Sequence, residues 1–556
     1  MRALLPLCAL TLLLGCNDAS STKASTTKDT KATAVAAHFN EQLYRQDLKT
    51  LSSDAFEGRA PTTHGEQMTL DYLTKAFTEM GLTAAADGSY LQAVQMVSYE
   101  ADEHQQVTLA GVPLQYRQDI VLNTHHNVEH VAIDNAPLVF VGYGINAPEY
   151  EWNDYQGLDM HGKIAVILIN DPGFAQPDSG KFNGKAMTYY GRWTYKYEEA
   201  SRQGALGAII IHDTAPASYP WSVVEHSWTG PQQDLVSKAQ DYRVAVEGWM
   251  TLDAAKKVFE ASGLALNSAM KRAAHNAIQL PLEQTGSILF KQTASYTQSY
   301  NVVATLPGTD ANNEHILVTG HWDHLGQDTS LEGDQIFNGA MDNATGVAGI
   351  LALARQLNQA AKAGKPLKRS VTFVVTTGEE QGLLGSRYYT ANPIYPLAHT
   401  VGVFNLDSTN IYGRTKDVTI VGKGKSELEL YIEQAAKNLG REVKAESHPE
   451  AGGYFRSDHF SFAKLGVPAV YVAGGSEPID TATAAYKERM LQTMQGCYHN
   501  TCDEYHEDWD LSGTLDDLQL HYQAIRALGN SDAKPGYYQG TEFYSLRPAS
   551  GIELKK

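Results

Sequence analysis

The sequence predicts an α/β fold built on a mixed, largely parallel β-sheet flanked by helices, with a β-rich insertion. Short continuous runs of β-branched and aliphatic residues are typical of strands buried on both faces of a parallel sheet. Three such runs are HILVT (315–319), SVTFVVTT (370–377) and TVGVFNL (400–406). A helix is predicted between the first two, from an apolar repeat at helical spacing. Its members are Val347, Ile350, Leu351, Ala354 and Leu357.

Length and charge restrict the function class. A chain of 556 residues is too long for one core and indicates about two or three domains. The hydrophobic content of 43% with 19% charged residues is typical of soluble globular protein. The formal net charge of −19 argues against nucleic acid as a partner, because phosphate binding depends on clustered Lys and Arg.

The N-terminus predicts export. Arg2 and the apolar run ALLPLCALTLLLG indicate a signal peptide over residues 1–15, too short to span a membrane. The run ends in Leu-Leu-Gly-Cys16, which resembles the lipobox of bacterial lipoproteins and implies acylation of Cys16. Asn17 favours the outer membrane, and the alternative is a simple secretory signal with an incidental cysteine. The Ser/Thr/Lys-rich residues 16–37 predict a flexible tether, so the only membrane contact expected is the lipid anchor.

Two further segments precede the three strands. Residues 38–128 contain two helical patterns, the second ending at Gly81, and form the first part of the domain that continues over 288–556. Residues 129–287 differ, because APLVFVGYGI, GKIAVILIND and GAIIIHD indicate strands, with KYEEASRQGALG a helix before the third. These strings resemble the protease-associated domain, for which a lid or spacer without chemistry is the plainest role.

Candidate metal ligands follow the predicted strands. In open α/β sheets, ligands bind beyond the carboxyl ends of the strands. Two imidazoles and three carboxylates can hold two zinc ions if one carboxylate bridges them, which leaves one glutamate free to move a proton. The candidates, in chain order, are His321 in TGHWDHLG, Asp342 in NGAMDNATG, Glu379 and Glu380 in TTGEEQGLLGS, Asp407 in FNLDSTN and His499 in CYHNTCDEY.

Each of these residues also has a structural interpretation. Asp342 precedes a helix and by itself would be an N-cap. Glu379 and Glu380 could be a charge pair at a helix N-terminus. His324 is interpreted as an ordinary loop histidine, and the acidic run 503–510 as a solvated face. The metal interpretation is favoured because all five motifs occur together in one order.

Residues 295–530 resemble the co-catalytic di-zinc aminopeptidase family, whose wider membership includes glutamate carboxypeptidase and the transferrin receptor. The resemblance implies the zinc exopeptidase fold and assigns His321 and Asp407 to one zinc, and Glu380 and His499 to the other. It makes Asp342 the bridge and Glu379 the general base. It also implies that Asp323 accepts the imidazole N–H of His321.

The string CYHNTCD resembles secreted bacterial aminopeptidases closely. In those enzymes the two cysteines pair and the tyrosine stabilises the oxyanion, which implies a Cys497–Cys502 disulfide and a catalytic Tyr498. An exported protein with two remaining cysteines is also expected to pair them; a zinc–thiolate site would need a second cysteine pair. In GGYFRSDHF, Arg456 matches a substrate contact of the same enzymes.

The sequence therefore predicts a lipid-anchored, exported di-zinc aminopeptidase acting on peptides. Zinc-bound water, deprotonated by Glu379, would attack the peptide carbonyl, and the same group would protonate the leaving amine. A carboxypeptidase or dipeptidase on the same scaffold is the alternative among enzymes. The alternative from another class is a non-catalytic binding protein. Manganese or cobalt could replace zinc in carboxylate-rich shells.

Overall fold

The computed structural model describes residues 39–85, 87–236, 243–310, 313–552 and 554. The predicted signal peptide (1–15), the predicted tether (16–37) and the candidate lipidation site Cys16 lie outside these residues. Among the described helices, none is long and apolar enough to cross a bilayer.

Helices flank the sheets described below. Their bounds are Glu41–Leu51 (α1), His64–Met80 (α2), Pro172–Ala175 (α3), Trp193–Arg202 (α4), Thr214–Ala217 (α5), Trp221–Ser227 (α6), Leu252–Ala261 (α7), Leu266–His275 (α8), Thr345–Lys362 (α9), Leu384–Ala391 (α10), Glu429–Asn438 (α11), His459–Ala463 (α12), Thr481–Thr493 (α13) and Ser512–Gly529 (α14).

Strands occupy much of the rest of the described chain. Their bounds are Thr83–Ala84 (β1), Leu91–Ala101 (β2), Gln106–Leu109 (β3), Val112–Leu114 (β4), Ile120–Asn123 (β5), His130–Phe140 (β6), Asn146–Ala147 (β7), Trp152–Asn153 (β8), Ile164–Leu168 (β9), Gly207–His212 (β10), Gln232–Leu235 (β11), Val246–Thr251 (β12), Leu280–Leu306 (β13), His315–His321 (β14), Gly326–Gln327 (β15), Ile336–Phe337 (β16), Ser370–Thr376 (β17), Thr400–Asn405 (β18), Asp417–Val421 (β19), Glu442–Ala445 (β20) and Ala469–Gly474 (β21).

The central sheet is mixed, with a parallel middle. Strands β17, β14, β18 and β21 pair in parallel in that order. Antiparallel strands flank them: β13 pairs with β17, β2 with β13, and β19 with β21. The three predicted strands are therefore neighbours in the parallel part of the sheet. The predicted α/β class, a mixed and largely parallel sheet flanked by helices, is confirmed.

Helices α1, α2 and α9 cover one face of this sheet. The predicted apolar repeat of α9 is buried along its whole length, from Val347 to Leu357, in one core with Val318 and Phe404. Phe77 of α2 stacks on Phe373 of β17, with ring centroids 6.1 Å apart. α2 ends before Gly81, where the sequence predicts the stop, and the φ of 74° at this glycine forms a left-handed cap.

A second sheet precedes the central one in the chain. Strands β6, β9, β10 and β12 pair in parallel, and β5 and the first part of β13 border them. Its buried residues form cores separate from that of α9. Strands β3 to β5 belong to this sheet although they lie before residue 129. The sheet therefore begins earlier than the predicted segment 129–287, and the assignment of that segment to a protease-associated domain stays a prediction.

Candidate metal centre

Three neighbouring strands deliver candidate ligands to one edge of the central sheet. His321 is the last residue of β14 and lies opposite Thr376, the last residue of β17. Glu379 and Glu380 follow β17, and Asp407 follows β18. Because parallel strands end at the same edge, side chains that lie far apart in the sequence meet there.

Asp342 lies between the two candidate histidines. Its Oδ1 is 3.3 Å from Nε2 of His321, and its Oδ2 is 3.4 Å from Nε2 of His499. The residue does not cap α9. Oδ1 of Asn343 instead accepts the backbone N–H of Gly346, at 3.0 Å, and that of Ser408, at 2.9 Å. Each oxygen of Asp342 therefore faces a different imidazole, as a bridging carboxylate requires.

The remaining carboxylates extend the cluster on both sides of Asp342. Asp407 Oδ1 lies 3.4 Å from His321 Nε2, and Glu380 Oε2 lies 2.8 Å from His499 Nε2. Glu379 stands further off, with Oε2 3.9 Å from His321 Nε2. The structure thus brings all six candidates together.

His324 also belongs to this cluster, contrary to its interpretation as an ordinary loop histidine. Its side chain is buried, and its Nδ1 lies 2.7 Å from Oε1 of Glu380. Among the described residues, His324, Asp342 and Glu380 form one group whose ligand atoms lie within 4.8 Å of one another. The signal in the sequence was its position three residues after His321, on the same strand-end loop.

The side chain of Asp323 does not make the contact with His321 that the resemblance implies. Its carboxylate Oδ1 is 3.9 Å from Nδ1 of His321, beyond hydrogen-bond distance, whereas its own carbonyl oxygen lies 3.1 Å from that nitrogen. The carboxylate instead accepts the backbone N–H groups of Glu379, at 3.1 Å, and Glu380, at 3.4 Å. Asp323 therefore fixes the imidazole through its backbone and the glutamate loop through its side chain.

Two buried charged residues, neither of them predicted as a site residue from the sequence, hold the loops of the cluster. Asp503, 2% exposed, accepts the backbone N–H of Met341 at Oδ1 (2.8 Å) and that of Asp342 at Oδ2 (3.0 Å). This corrects the interpretation of residues 503–510 as a solvated face for its first member. Asp503 follows Cys502, whose disulfide with Cys497 encloses Tyr498 and His499.

Arg59 is the second of these residues and is 1% exposed. Its guanidinium donates to the carbonyls of Trp322 (2.9 Å), Asn338 (2.6 Å) and Gly339 (2.8 Å), and to that of Leu51 (2.7 Å). Burial lowers the pKa of Arg59 to about 10, against the opposing charges of nearby carboxylates. Arg59 thus ties the His321 loop to the loop that precedes Asp342.

The cluster concentrates negative charge in a buried place. Burial raises the pKa of Glu379 well above its usual value. The positive charge of His321 opposes this shift, and the negative charges of Asp407 and Glu380 add to it. Burial opposes protonation of His499, but the carboxylates of Asp342 and Glu380 outweigh it and raise its pKa to about 10. Bound divalent cations would balance these charges, and histidine nitrogen with carboxylate oxygen is the donor set that zinc accepts. The residues present therefore fit zinc.

Tyr498 lies at the border of this cluster, and Arg456 lies on the segment that precedes α12. The Tyr498 ring stacks on His499, with centroids 3.9 Å apart, and the residue is 74% exposed. Arg456 is exposed and precedes the buried Asp458, which accepts the hydroxyl of Thr376. Their catalytic and substrate-binding roles stay predictions.

Comparisons with known proteins point to one family. Residues 301–523, fewer than half of the chain, match the model of Peptidase family M28. Leupeptin-inactivating enzyme 1 of Streptomyces exfoliatus is 30% identical over 219 residues, covering 38% of this chain and 44% of that protein. Leucine aminopeptidase 2 of Arthroderma otae is 26% identical over 263 residues, covering 46% and 48%.

The chain spans less than half the length of these two curated relatives. Among solved structures, BSAP, a zinc aminopeptidase from Bacillus subtilis, aligns over 90% of this chain and 97% of that one, at 17% identity and a TM-score of 0.43. The segment 301–523 is thus similar to Peptidase family M28, and it contains every predicted metal ligand.

Proposed function

We propose that this chain is a zinc-dependent aminopeptidase that removes N-terminal residues from peptides with the help of two zinc ions. The observation that carries the proposal is the position of Asp342. Its two oxygens face His321 and His499, and each histidine has a further carboxylate beside it. This arrangement offers two adjacent donor sets that share one carboxylate, which is the arrangement a two-metal hydrolytic site uses.

The residues have distinct roles in the proposal. His321 and Asp407 would hold one zinc, Glu380 and His499 the other, and Asp342 both. Bound zinc would supply an acidified water and a Lewis acid for the carbonyl oxygen. Manganese or cobalt could occupy the same donors.

Glu379 would be the general base. It is buried at the cluster but is further from His321 than either Asp342 or Asp407, so its carboxylate remains available for a proton. It would accept the proton of the attacking water and return it to the leaving amine. The hydroxyl of Tyr498, beside His499, would donate to the oxyanion.

The charges around the cluster favour an N-terminal substrate group. A free α-ammonium is attracted by carboxylates, whereas a terminal carboxylate calls for arginines in bidentate pairs. Glu379 and Asp407 are the carboxylates at hand. Arg387, which follows the glutamate loop, is paired with Asp234 of β11 at 2.9 Å. The relative from Arthroderma otae is named a leucine aminopeptidase, which also supports an N-terminal substrate group.

A panel of peptides tests the polarity of attack. Purified protein is incubated with one peptide in free, N-acetylated and C-amidated forms, and the products are read by mass spectrometry. We expect stepwise loss of N-terminal residues, abolished by acetylation and retained after amidation. Cleavage that tolerates acetylation and requires a free C-terminus would reassign the chain to the carboxypeptidase alternative. Two bound metals without any hydrolysis would favour a binding protein.

The location is a separate part of the proposal. The lipobox-like string ending at Cys16 supports a lipid anchor in the bacterial cell envelope, with the rest of the chain on the outside of the inner membrane. Cys16→Ala should release an active protein from the membrane fraction. Wild-type protein that fractionates without membrane, and carries no lipid mass at its N-terminus, would contradict the anchor.

A further inference from the structure

The segment before α4, from the second-sheet region, packs directly on the segment that carries Arg456. The backbone N–H of Met187 donates to the carbonyl of Pro449, at 3.0 Å. The ring of Tyr189 lies 6.3 Å from that of Phe455 and 5.3 Å from that of Phe460, centroid to centroid. Arg192 follows this contact by three residues, and Arg456 comes directly after Phe455, so the interface places the two arginines in one neighbourhood.

Neither guanidinium has a counter-charge at contact distance within the described part of the chain. Neither Arg192 nor Arg456 forms an ion pair or a side-chain hydrogen bond there, and the buried Nε of Arg192 has no acceptor. Among the described rings, that of Trp193 lies over the guanidinium of Arg192, 5.9 Å from its central carbon to the ring centroid. In a chain with a net charge of −19, two neighbouring cations without a carboxylate partner are unexpected.

The electrostatics agree with this proximity. Burial lowers the pKa of Arg192 to about 10, and the positive charge of Arg456 lowers it further in the same direction. Burial raises the pKa of Tyr219, and both arginines oppose that shift. Burial raises the pKa of Glu446, and the charge of Arg456 is among the influences that oppose this shift; Oε1 of Glu446 accepts the backbone N–H of Gly422 at 2.8 Å.

The segment that carries Arg456 packs against the elements that position the candidate metal centre. Asp458, two residues after Arg456, accepts the hydroxyl of Thr376, the residue opposite His321 in the sheet. The ring of His459 lies 5.6 Å from that of Tyr471, whose hydroxyl donates to the carbonyl of Asp407 at 2.8 Å. These contacts connect the segment that carries Arg456 with the strand ends that carry His321 and Asp407.

We propose that Arg192 and Arg456 together form a subsite for a carboxylate of the substrate, so that the second-sheet region contributes directly to specificity. The inference rests on the proposed peptidase function and names its substrate class: short peptides that bring a carboxylate to this place. Two sources have this chemistry, the C-terminus of a dipeptide and an acidic side chain. Arginine binds a carboxylate through charge-assisted, often bidentate hydrogen bonds.

Four dipeptides separate the two sources: Leu-Glu, Leu-Gln and the C-terminal amide of each. The full protein should cleave the carboxylate-bearing substrates with a kcat/KM about tenfold higher than that for the neutral Leu-Gln amide, through a lower KM. The loss of one hydrogen bond to a charged group weakens binding by about this factor. A preference that follows the free C-terminus identifies a dipeptide subsite. A preference that follows Glu over Gln identifies an acidic-residue subsite.

Arg192→Met should remove this preference, and Arg192→Lys should restore part of it. Both should hydrolyse leucine-nitroanilide, which has no carboxylate, at the wild-type rate. Arg272→Met, the same change on the exposed face of α8, is the matched control and should keep the preference.

Equal kcat/KM for all four dipeptides, or an unchanged preference in Arg192→Met, would overturn the inference while leaving nitroanilide hydrolysis and the proposed function intact. Calorimetric titration with glutarate, and with glutaramide as the neutral control, reports the subsite without turnover. Glutarate binding that Arg192→Met abolishes supports the subsite even in a protein that hydrolyses nothing. Equal binding of glutarate to wild type and Arg192→Met overturns it.

Discussion

The carboxylate of Asp503 holds the backbone of Asp342, with the N–H of Asp342 donating to Oδ2 at 3.0 Å. Asp503 follows the disulfide-bonded Cys502, and His499 lies inside the same disulfide loop. One short segment therefore supplies a candidate ligand and orients the carboxylate that faces it. The geometry of Asp342, the proposed bridge, therefore depends on a residue that would touch no metal.

Asp503→Asn tests this dependence. The amide can accept one backbone N–H but not both, so a buried N–H loses its acceptor, at a cost of about 1–3 kcal/mol in the free energy of unfolding. We expect a lower melting temperature and weaker retention of metal during dialysis against a chelator. Asp508→Asn, on the exposed part of the same acidic run, is the control. Equal metal retention in the two variants would argue against a positioning role.

Glu379→Gln separates the base from the ligands. The change removes the proton acceptor without removing a proposed metal ligand, so both metals should stay while kcat falls by about 10²–10⁴-fold. Glu380→Gln, the adjacent and isosteric change, should instead lose metal from one site. Metal analysis beside kinetics distinguishes them. An active Glu379→Gln, or one that has lost a metal, would exclude Glu379 as the base.

Arg59→Met would remove the donor of three buried carbonyls, those of Leu51, Trp322 and Asn338, whereas the carbonyl of Gly339 would keep the backbone N–H of Ala344. Each buried unpaired group costs about 1–3 kcal/mol, so we expect at least about 3 kcal/mol less stability in chemical denaturation. Arg59→Lys should recover only part of it, because an ammonium has three donors and no planar fork. Arg414→Met, which breaks an exposed ion pair with Asp516, should cost below about 1 kcal/mol.

Tyr498→Phe tests the oxyanion role. The ring is 74% exposed, and a single hydroxyl is removed, so the melting temperature should not change. If that hydroxyl stabilises the oxyanion, kcat should fall by about 10²–10³-fold, the usual cost of one donor. An increase in KM at constant kcat would make Tyr498 a binding residue only.

The parts of the fold with local periodicity could be predicted from the sequence. The apolar runs at 315–319, 370–377 and 400–406 are adjacent parallel strands, and the helical repeat from Val347 to Leu357 is the buried face of α9. These patterns are visible because burial of a strand or a helix face imposes a repeat on neighbouring residues.

Contacts between residues that lie far apart in the sequence produce no such repeat. Arg59 binds carbonyls more than 250 positions away, and Asp503 binds amides about 160 positions earlier. In the sequence both are ordinary polar residues beside glycine or within an acidic run. The interpretation of His324 as a loop histidine is wrong for a related reason, because its partner Glu380 follows another strand. These contacts depend on the order of the strands in the sheet, and no single segment of the sequence specifies that order.

Strand β13 belongs to both sheets, so the second sheet is not an independent module. Its 27 residues pair with β6 and β3 in the second sheet and then, without a break, with β2 and β17 in the central sheet. Excision of 129–287 would delete β6, the partner of residues 288–291, and would also remove the two residues of β13 that pair with Thr108 and Leu109 of β3. The second sheet therefore cannot be removed as a separate unit. Any exchange of this region between proteins would have to cut within β13, the strand that both sheets share.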